Sequence, residues 1–390
     1  MSPKGEYKME YLRKIKINPG AEVSGDDFFN REKEFISFRK RLMTIKHITI
    51  SQIRRTGKTS FMKEFIARNT NLPIVYIIVQ GCQNQHDFYN EIYGQIVEQS
   101  RSKKTIEFLR NGWNTIVEMA PENPYIQLGK LSDTTEEQMK KYLIKILSAK
   151  EFILFIDKFP DFILNLKKNQ IAEPFLSNFR VFRNKCSKLK TVLTGSINLS
   201  RTIKTLGLAD KLNGYKTFTF PLFSPENSLL FFQCLLYSED YTLSENSIEY
   251  IFPYIEDGMP YFIQLLADEV QQLDFENKEL NSENLEKAVE KVFKSEEFGL
   301  EEFHSRLDTY LKDENLEKPA KIILSHISND ELDFDDLYAF VDNHVSKERL
   351  AELLNRLEDE AYLKKENGKY SFLSKLMAGW WKEKKHFDRR

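Results

Sequence analysis

Hydrophobic positions along the chain fall into two regimes. Up to about residue 220, short apolar runs alternate with stretches of helical period. Glu32 to Met43 places Phe35, Phe38 and Leu42 at helical spacing, and the β-rich run His47–Ser51 follows. Lys58 to about Asn69 carries Phe61, Met62, Phe65 and Ile66 on one face, which predicts a helix. Leu72–Val79 is almost continuously apolar, as a strand buried on both faces of a parallel sheet requires. Further buried strands are predicted at Glu151–Asp157, Lys190–Ser196 and Lys216–Phe220, with helices near 86–101 and 134–148. Strands alternating with helices predict an α/β domain with a parallel sheet.

From Pro225 the strand signals fade, and helices are predicted near 225–237, 244–253, 260–273, 282–293 and 299–311. Beyond Lys318-Pro319 the order is three helices (319–327, 332–341, 346–359) and a hairpin, Tyr362–Lys365 with Tyr370–Phe372. Its turn is Asn367-Gly368, a dipeptide suited to two left-handed residues in succession. That order describes a winged helix. The expected divisions are a leader at 1–24, an α/β domain at 25–222, a helical domain at 223–316 and a winged-helix domain at 317–390.

Composition narrows the function classes. With 57 Lys and Arg against 59 Asp and Glu, the net charge of −2 provides no global field for nucleic acid or an anionic membrane. Three scattered cysteines (Cys82, Cys186, Cys234) exclude a disulfide scaffold and fit a reducing compartment. No signal peptide and no run of about 18 apolar residues is present, so a cytoplasmic protein is expected.

The chemistry concentrates between the first strand and the next helix. Gln52-Ile53-Arg54-Arg55-Thr56-Gly57-Lys58-Thr59 has phosphate-loop spacing except that Gln52 stands where a glycine is usual. Backbone N–H groups at a helix N-terminus favour phosphate; Lys58 would reach the β- and γ-phosphates and the Thr59 hydroxyl would coordinate Mg²⁺. About 100 residues downstream, Phe152–Asp157 ends an apolar strand in the acid that such sites use to hold Mg²⁺ through water. The residue after Asp157, where a water-polarising Glu is expected, is Lys158. Asp161 is a candidate substitute, though nothing in the sequence places it.

Taken in order, Phe29-Asn30-Arg31-Glu32, Arg54-Arg55-Thr56-Gly57-Lys58-Thr59-Ser60, Ile156-Asp157-Lys158-Phe159-Pro160-Asp161 and Thr194-Gly195-Ser196 resemble the archaeal-type P-loop ATPases of the AAA+/STAND lineage. Asp257-Gly258-Met259-Pro260-Tyr261 resembles that family's lid motif, and Tyr370-Ser371-Phe372 to Trp380-Trp381 its winged-helix end. The resemblance covers about residues 20–385. It implies an α/β fold: a P-loop NTPase parallel-sheet core with a helical lid and a C-terminal winged helix. It also implies ATP or ADP with Mg²⁺ as cofactors. The nucleotide-binding residues would be Arg31, Gln52, Ile53, Arg54, Arg55, Thr56, Gly57, Lys58, Thr59, Ser60 and Pro260, with Arg31 near adenine or ribose and Pro260 lining the base. Ser196 would be the sensor, and Thr59 and Asp157 the Mg²⁺ ligands. Asn30, Gln52 and Lys158 depart from the family pattern, and all three fall at the nucleotide site. They put hydrolysis in question more than binding. Arg54 and Arg55 are open between solvation, pairing with lid acids and phosphate contact.

The third helix of the winged module carries Lys347, Arg349 and Arg356 against Glu348, Glu352, Glu358, Asp359 and Glu360, so its face starts from repulsion of a phosphate backbone. The expected partners are therefore nucleotide and protein, another chain or a second copy, rather than DNA or membrane. The leading expectation is a nucleotide-binding regulatory switch with slow or absent hydrolysis. A pseudo-ATPase adaptor or structural subunit, and a winged-helix DNA-binding regulator, are the alternatives.

Overall fold

The computed structural model describes residues 12–51, 54–101, 136–195, 199–296, 298–311 and 314–387. These divide into two compact units, one from Arg31–Gln52 and Phe61–Phe220, the other from Met1–Asn30, Ile53–Ser60 and Pro221–Arg390.

The first unit is built on α1 (Glu32–Thr44), β1 (His47–Ile50), α2 (Lys58–Arg68), β2 (Ile74–Ile78), α3 (Gln85–Arg101) and α4 (Glu136–Ala149). It continues with β3 (Phe152–Asp157), α5 (Phe159–Lys168), α6 (Ala172–Lys185), β4 (Leu189–Thr194), α7 (Leu199–Thr205) and β5 (Tyr215–Phe218). The first turn of α2 groups with the second unit. All five strands are parallel, in the order β2-β3-β4-β1-β5. Both faces of the sheet are covered, so every residue of β3 is buried. Phe155 meets Phe38 of α1 and Phe65 of α2 on one face, while Phe152, Leu154 and Ile156 join the cluster of α3 to α6 on the other. The register sets Ile50 level with Thr194 and Phe218, and Ile78 level with Asp157. The loops after β1, β3 and β4 consequently leave from one edge of the sheet.

Helices α5 to α7 are additions to the predicted elements. Aromatic packing holds α5 and α6: Phe88 stacks on Phe162 at 5.5 Å and meets Phe175 and Phe179 edge-on.

The second unit has one hydrophobic core. Its elements are α8 (Pro225–Ser238), β6 (Thr242–Leu243), α9 (Glu245–Ile255), α10 (Pro260–Leu273), β7 (Glu279–Leu280), α11 (Ser282–Phe293) and α12 (Phe298–Tyr310). Then come α13 (Glu317–Ile327), α14 (Phe334–Val341), α15 (Lys347–Asp359), β8 (Leu363–Glu366), β9 (Lys369–Phe372) and α16 (Lys375–Phe387). Side-chain caps fix several starts: Ser224, Ser244 and Ser346 accept from backbone N–H groups of the first turn, and Asn281 and Asp333 form reciprocal capping boxes. The order of three helices and an antiparallel hairpin expected at the C-terminus is present, with Asn367 and Gly368 at φ +50° and +85°. Leu332 bridges Tyr370 antiparallel and adds a third chain to the hairpin. Trp380 and Trp381 are buried, and the Trp380 indole N–H donates to the Ser295 carbonyl at 2.9 Å.

Within the segment expected as a leader, residues 1–11 lie outside the described residues, but Ile15 is buried and the Asn18 N–H donates to Gln264 Oε1 at 2.8 Å. The three cysteines are buried free thiols. No helix among the described residues is long and apolar enough to cross a membrane.

Candidate functional site

The phosphate-loop segment belongs to the second unit. Arg54 and Arg55 form a turn, and Gly57 leads into Lys58, the first residue of α2. Gly57 has φ +82°, a conformation glycine adopts without strain, and a Cβ there would meet no atom within 4 Å. Among the described residues, the position beside Gly57 at the start of α2 is therefore open. Arg55, at φ +65°, has no such freedom and carries a strain of about 1–2 kcal/mol. Thr56, Lys58 and Ser60 are buried, Thr59 is half-buried, and Ser60 Oγ accepts from the Val23 N–H at 3.1 Å. Gln52 and Ile53, predicted nucleotide contacts, lie outside the described residues.

Pairing with an acid of the helical region is the arrangement found for the two arginines. Glu302 of α12 accepts from Arg54 through Oε1 and from Arg55 through Oε2, the latter at 3.1 Å. The Arg55 guanidinium lies 4.5 Å from the Tyr261 ring centroid. Two glycines make this packing possible. A Cβ on Gly299 would sit 1.9 Å from the Tyr261 hydroxyl, and one on Gly20 would sit 2.9 Å from an Arg55 nitrogen. The left-handed Arg55 is thus held by an ion pair and an aromatic face. Sequence pattern gives no signal for Glu302, because one acid among many on a polar helix is unremarkable until its partners are known.

The lid motif is fixed by backbone. Gly258 has φ +74°, and a Cβ there would lie 2.1 Å from the Phe223 carbonyl oxygen. The Phe223 N–H donates to the Gly258 carbonyl at 3.0 Å, and Phe223 packs edge-on against Phe29. Pro260 follows as the half-buried first residue of α10, where a missing N–H costs nothing. Asp257 accepts from the Met259 N–H at 2.8 Å. Burial pushes its carboxyl up to about 6, against the opposing pull of that bond and of the Ser374 hydroxyl. Asn30, in place of a glycine, has φ +39°, which asparagine tolerates better than most residues, and its side chain donates to Asn227.

In the first unit, the edge of the sheet carries the remaining predicted groups. Asp157 is buried; its Oδ2 accepts from the Tyr76 hydroxyl at 3.0 Å and its Oδ1 from the Lys158 N–H at 2.8 Å. Tyr76 was the one polar side chain in its apolar run, which is the signal that could have marked it. Lys158 is half-buried at φ +61° and precedes α5. Thr194 Oγ1 is buried without a hydrogen-bond partner among the described residues, at the end of β4. Gly195 follows, and a Cβ there would lie 2.3 Å from Pro160 Cδ, so the Thr194-Gly195 and Asp157–Asp161 motifs require one another sterically. The predicted sensor, Ser196, lies outside the described residues. Arg31 is buried, pairs with Glu34 at 3.4 Å and lies 5.0 Å from the Phe220 ring centroid; burial draws its pKa down and Glu34 counters that.

Among the described residues no group of three or more His, Cys, Asp or Glu could hold a metal. A magnesium held by one hydroxyl, one carboxylate and substrate phosphates needs no such cage.

The parallel five-stranded sheet, the strand–loop–helix junction at Gly57-Lys58 and the helical region after it define the fold of a Walker-type P-loop ATPase. The chain is similar to the Walker-type ATPase of Pyrococcus abyssi, with TM-score 0.62 and 17% identity over 96% of this chain and 99% of that one. It is also similar to the Aeropyrum pernix ORC2 protein solved in ADPNP–ADP complexes, with TM-score 0.54 and 12% identity over 93% and 97% of the two chains. No protein family matches the chain in sequence, and no curated protein does.

Proposed function

We propose that the chain is an AAA+/STAND-like regulatory switch that binds ATP or ADP with Mg²⁺ and turns it over slowly or not at all. The observation that carries this reading is the phosphate loop itself: a left-handed Gly57 opening onto free space, with Lys58 as the first residue of α2. Loop N–H groups and the helix dipole would hold phosphate oxygens, and Lys58 would add a point charge to them. Thr59 and, through water, Asp157 would serve the Mg²⁺ ion, which neutralises phosphate charge when bound. Arg31, Gln52, Ile53, Arg54, Arg55, Thr56, Ser60 and Pro260 complete the proposed nucleotide set, with Ser196 as sensor. In functional terms 25–222 would be the ATPase-like domain, 223–316 the lid and 317–390 a winged helix.

Slow hydrolysis follows from Lys158. A protonated amine cannot take a proton from water, and positioning a general base contributes about 10²–10⁴-fold in rate. The same residue favours a second reading, a pseudo-ATPase adaptor. DNA binding by the winged helix finds no support in its third helix. Arg356 makes a two-pronged pair with Glu314 at 2.8 and 2.9 Å, Arg349 pairs with Glu314 and Glu352, and Lys347 with Asp335. A protein partner or a second copy fits that surface better.

Thermal unfolding of the full chain with millimolar Mg-ATP or Mg-ADP tests the reading. Ligand at 100 times its Kd adds about 2.7 kcal/mol. A rise in Tm that Lys58→Ala abolishes is expected, and no rise with either nucleotide leaves the adaptor reading. Phosphate release tests the second half: Lys158→Glu should raise turnover, and wild-type turnover near one per second that Lys58→Ala removes refutes slow hydrolysis.

A further inference from the structure

The phosphate loop and α12 share one carboxylate. Each Glu302 oxygen serves a different arginine of the loop, and all three side chains are largely shielded, with relative exposures of 22, 21 and 31% for Arg54, Arg55 and Glu302. We propose that Glu302 is an internal anion that competes with the phosphates of a bound nucleotide for Arg54 and Arg55, and so sets the affinity of the loop. The proposal rests on reading the loop as a nucleotide site and adds the residue that regulates it.

Three observations carry it. A guanidinium recognises carboxylate and phosphate by the same planar fork, so a carboxylate seated between two loop arginines occupies donors that a phosphate would use. The seat is built for this purpose rather than incidental to two long surface chains. Arg55 adopts a left-handed backbone to reach it, lies against Tyr261, and has glycines at positions 20 and 299 where any Cβ would crowd the stack. Finally, α12 carries the contact onward. One residue past Glu302, the Phe303 carbonyl accepts from the Tyr362 hydroxyl at 2.6 Å, Arg306 pairs with Glu360 at 3.4 Å, and Glu301 pairs with Lys384. The helix that carries Glu302 is therefore bonded directly to the three-helix-and-hairpin module.

An ion pair that merely braces the loop predicts something different: its loss would lower stability and leave nucleotide affinity unchanged or weaker. Calorimetric titration of the full chain with Mg-ATP and Mg-ADP separates the two. Glu302→Gln should tighten binding about tenfold, corresponding to about 1.4 kcal/mol. Glu302→Asp keeps the charge but withdraws it by one methylene, and should fall between wild type and Glu302→Gln. It also serves if the amide variant folds poorly. In an Arg54→Ala/Arg55→Ala background, Glu302→Gln should change affinity by less than twofold. Wild-type or weaker affinity in both Glu302 variants, with binding still lost in Lys58→Ala, overturns the proposal and leaves the nucleotide site standing. Binding in Glu302→Gln but not in wild type supports both. No binding in any chain overturns the nucleotide site, and the proposal with it.

Discussion

Asp257→Asn should stabilise the protein at neutral pH, because the wild-type carboxylate is ionised there in a site that disfavours charge. Its pKa moves from 3.8 to about 6, driven first by burial; Glu256 adds to the rise, while the Met259 N–H, the Ser374 hydroxyl and Lys364 oppose it. A raised acid pKa means that the folded chain holds its proton more tightly than the unfolded chain. The group's contribution to stability is thus fully present below about pH 4, declines as pH rises and is gone above about pH 6–7. About two pH units at 1.36 kcal/mol each give a loss of about 3 kcal/mol as an upper bound. Asparagine cannot ionise, yet its carbonyl can still accept from the Met259 N–H now bound at 2.8 Å. The measurement is urea unfolding of wild type and variant at pH 4.5 and pH 7.5. Other titrating groups change both proteins alike and cancel in the difference between them. The variant should gain on wild type by about 2 kcal/mol between the two pH values, because pH 4.5 lies above the unfolded pKa and part of the full change is already spent there. A difference that does not change with pH, or one that moves toward wild type as pH rises, refutes the assignment of a buried, charge-averse carboxyl at the lid motif.

Gly195→Ala forces a Cβ to within 2.3 Å of Pro160 Cδ, so the ring or the end of β4 must move, costing about 1–3 kcal/mol. A urea midpoint equal to wild type would show that the two motifs are not in contact. Arg356→Ala strips Glu314 of a pair whose partners are 19 and 27% exposed, and should destabilise the chain by about 1–2 kcal/mol in calorimetry; Arg356→Lys should recover only part, since an ammonium cannot reproduce the two-pronged fork.

Much of the architecture was legible because local and global preferences agree. The apolar run Phe152–Asp157 is buried on both faces as expected, and Ile74–Ile78 pairs beside it in parallel but as the edge strand, where Tyr76 is half-buried and Ile78 exposed. The second unit was legible in its helices because their buried positions keep the helical period, as Leu285, Ala288, Val289 and Val292 do in α11. Helices α5 and α6 were missed although their buried positions do keep the helical period: Phe159, Phe162, Ile163 and Leu166 lie on one face of α5, and Phe175, Leu176, Phe179 and Phe182 on one face of α6. Strand order escaped because it is decided by which apolar faces fit together rather than by any one segment.

The candidate site divides along the same line. A glycine that must be left-handed, or an acid at the end of a buried strand, is a local requirement and leaves a mark in the sequence; Gly57 and Asp157 are of that kind. Tyr76 against Asp157 and Glu302 against Arg54 and Arg55 are pairings between segments 81 and 247 residues apart in the first and last of these contacts, and no local pattern encodes them. Regulation is more exposed to this blindness than binding. A phosphate needs backbone N–H groups and one lysine, which the chain supplies within a few residues. A competitor for that phosphate must come from elsewhere in the fold, because an acid inside the loop would repel the ligand permanently. An acid on a separate helix can leave. On the proposed reading, Glu302, invisible as a motif, is where the affinity of the loop would be adjusted without altering the loop.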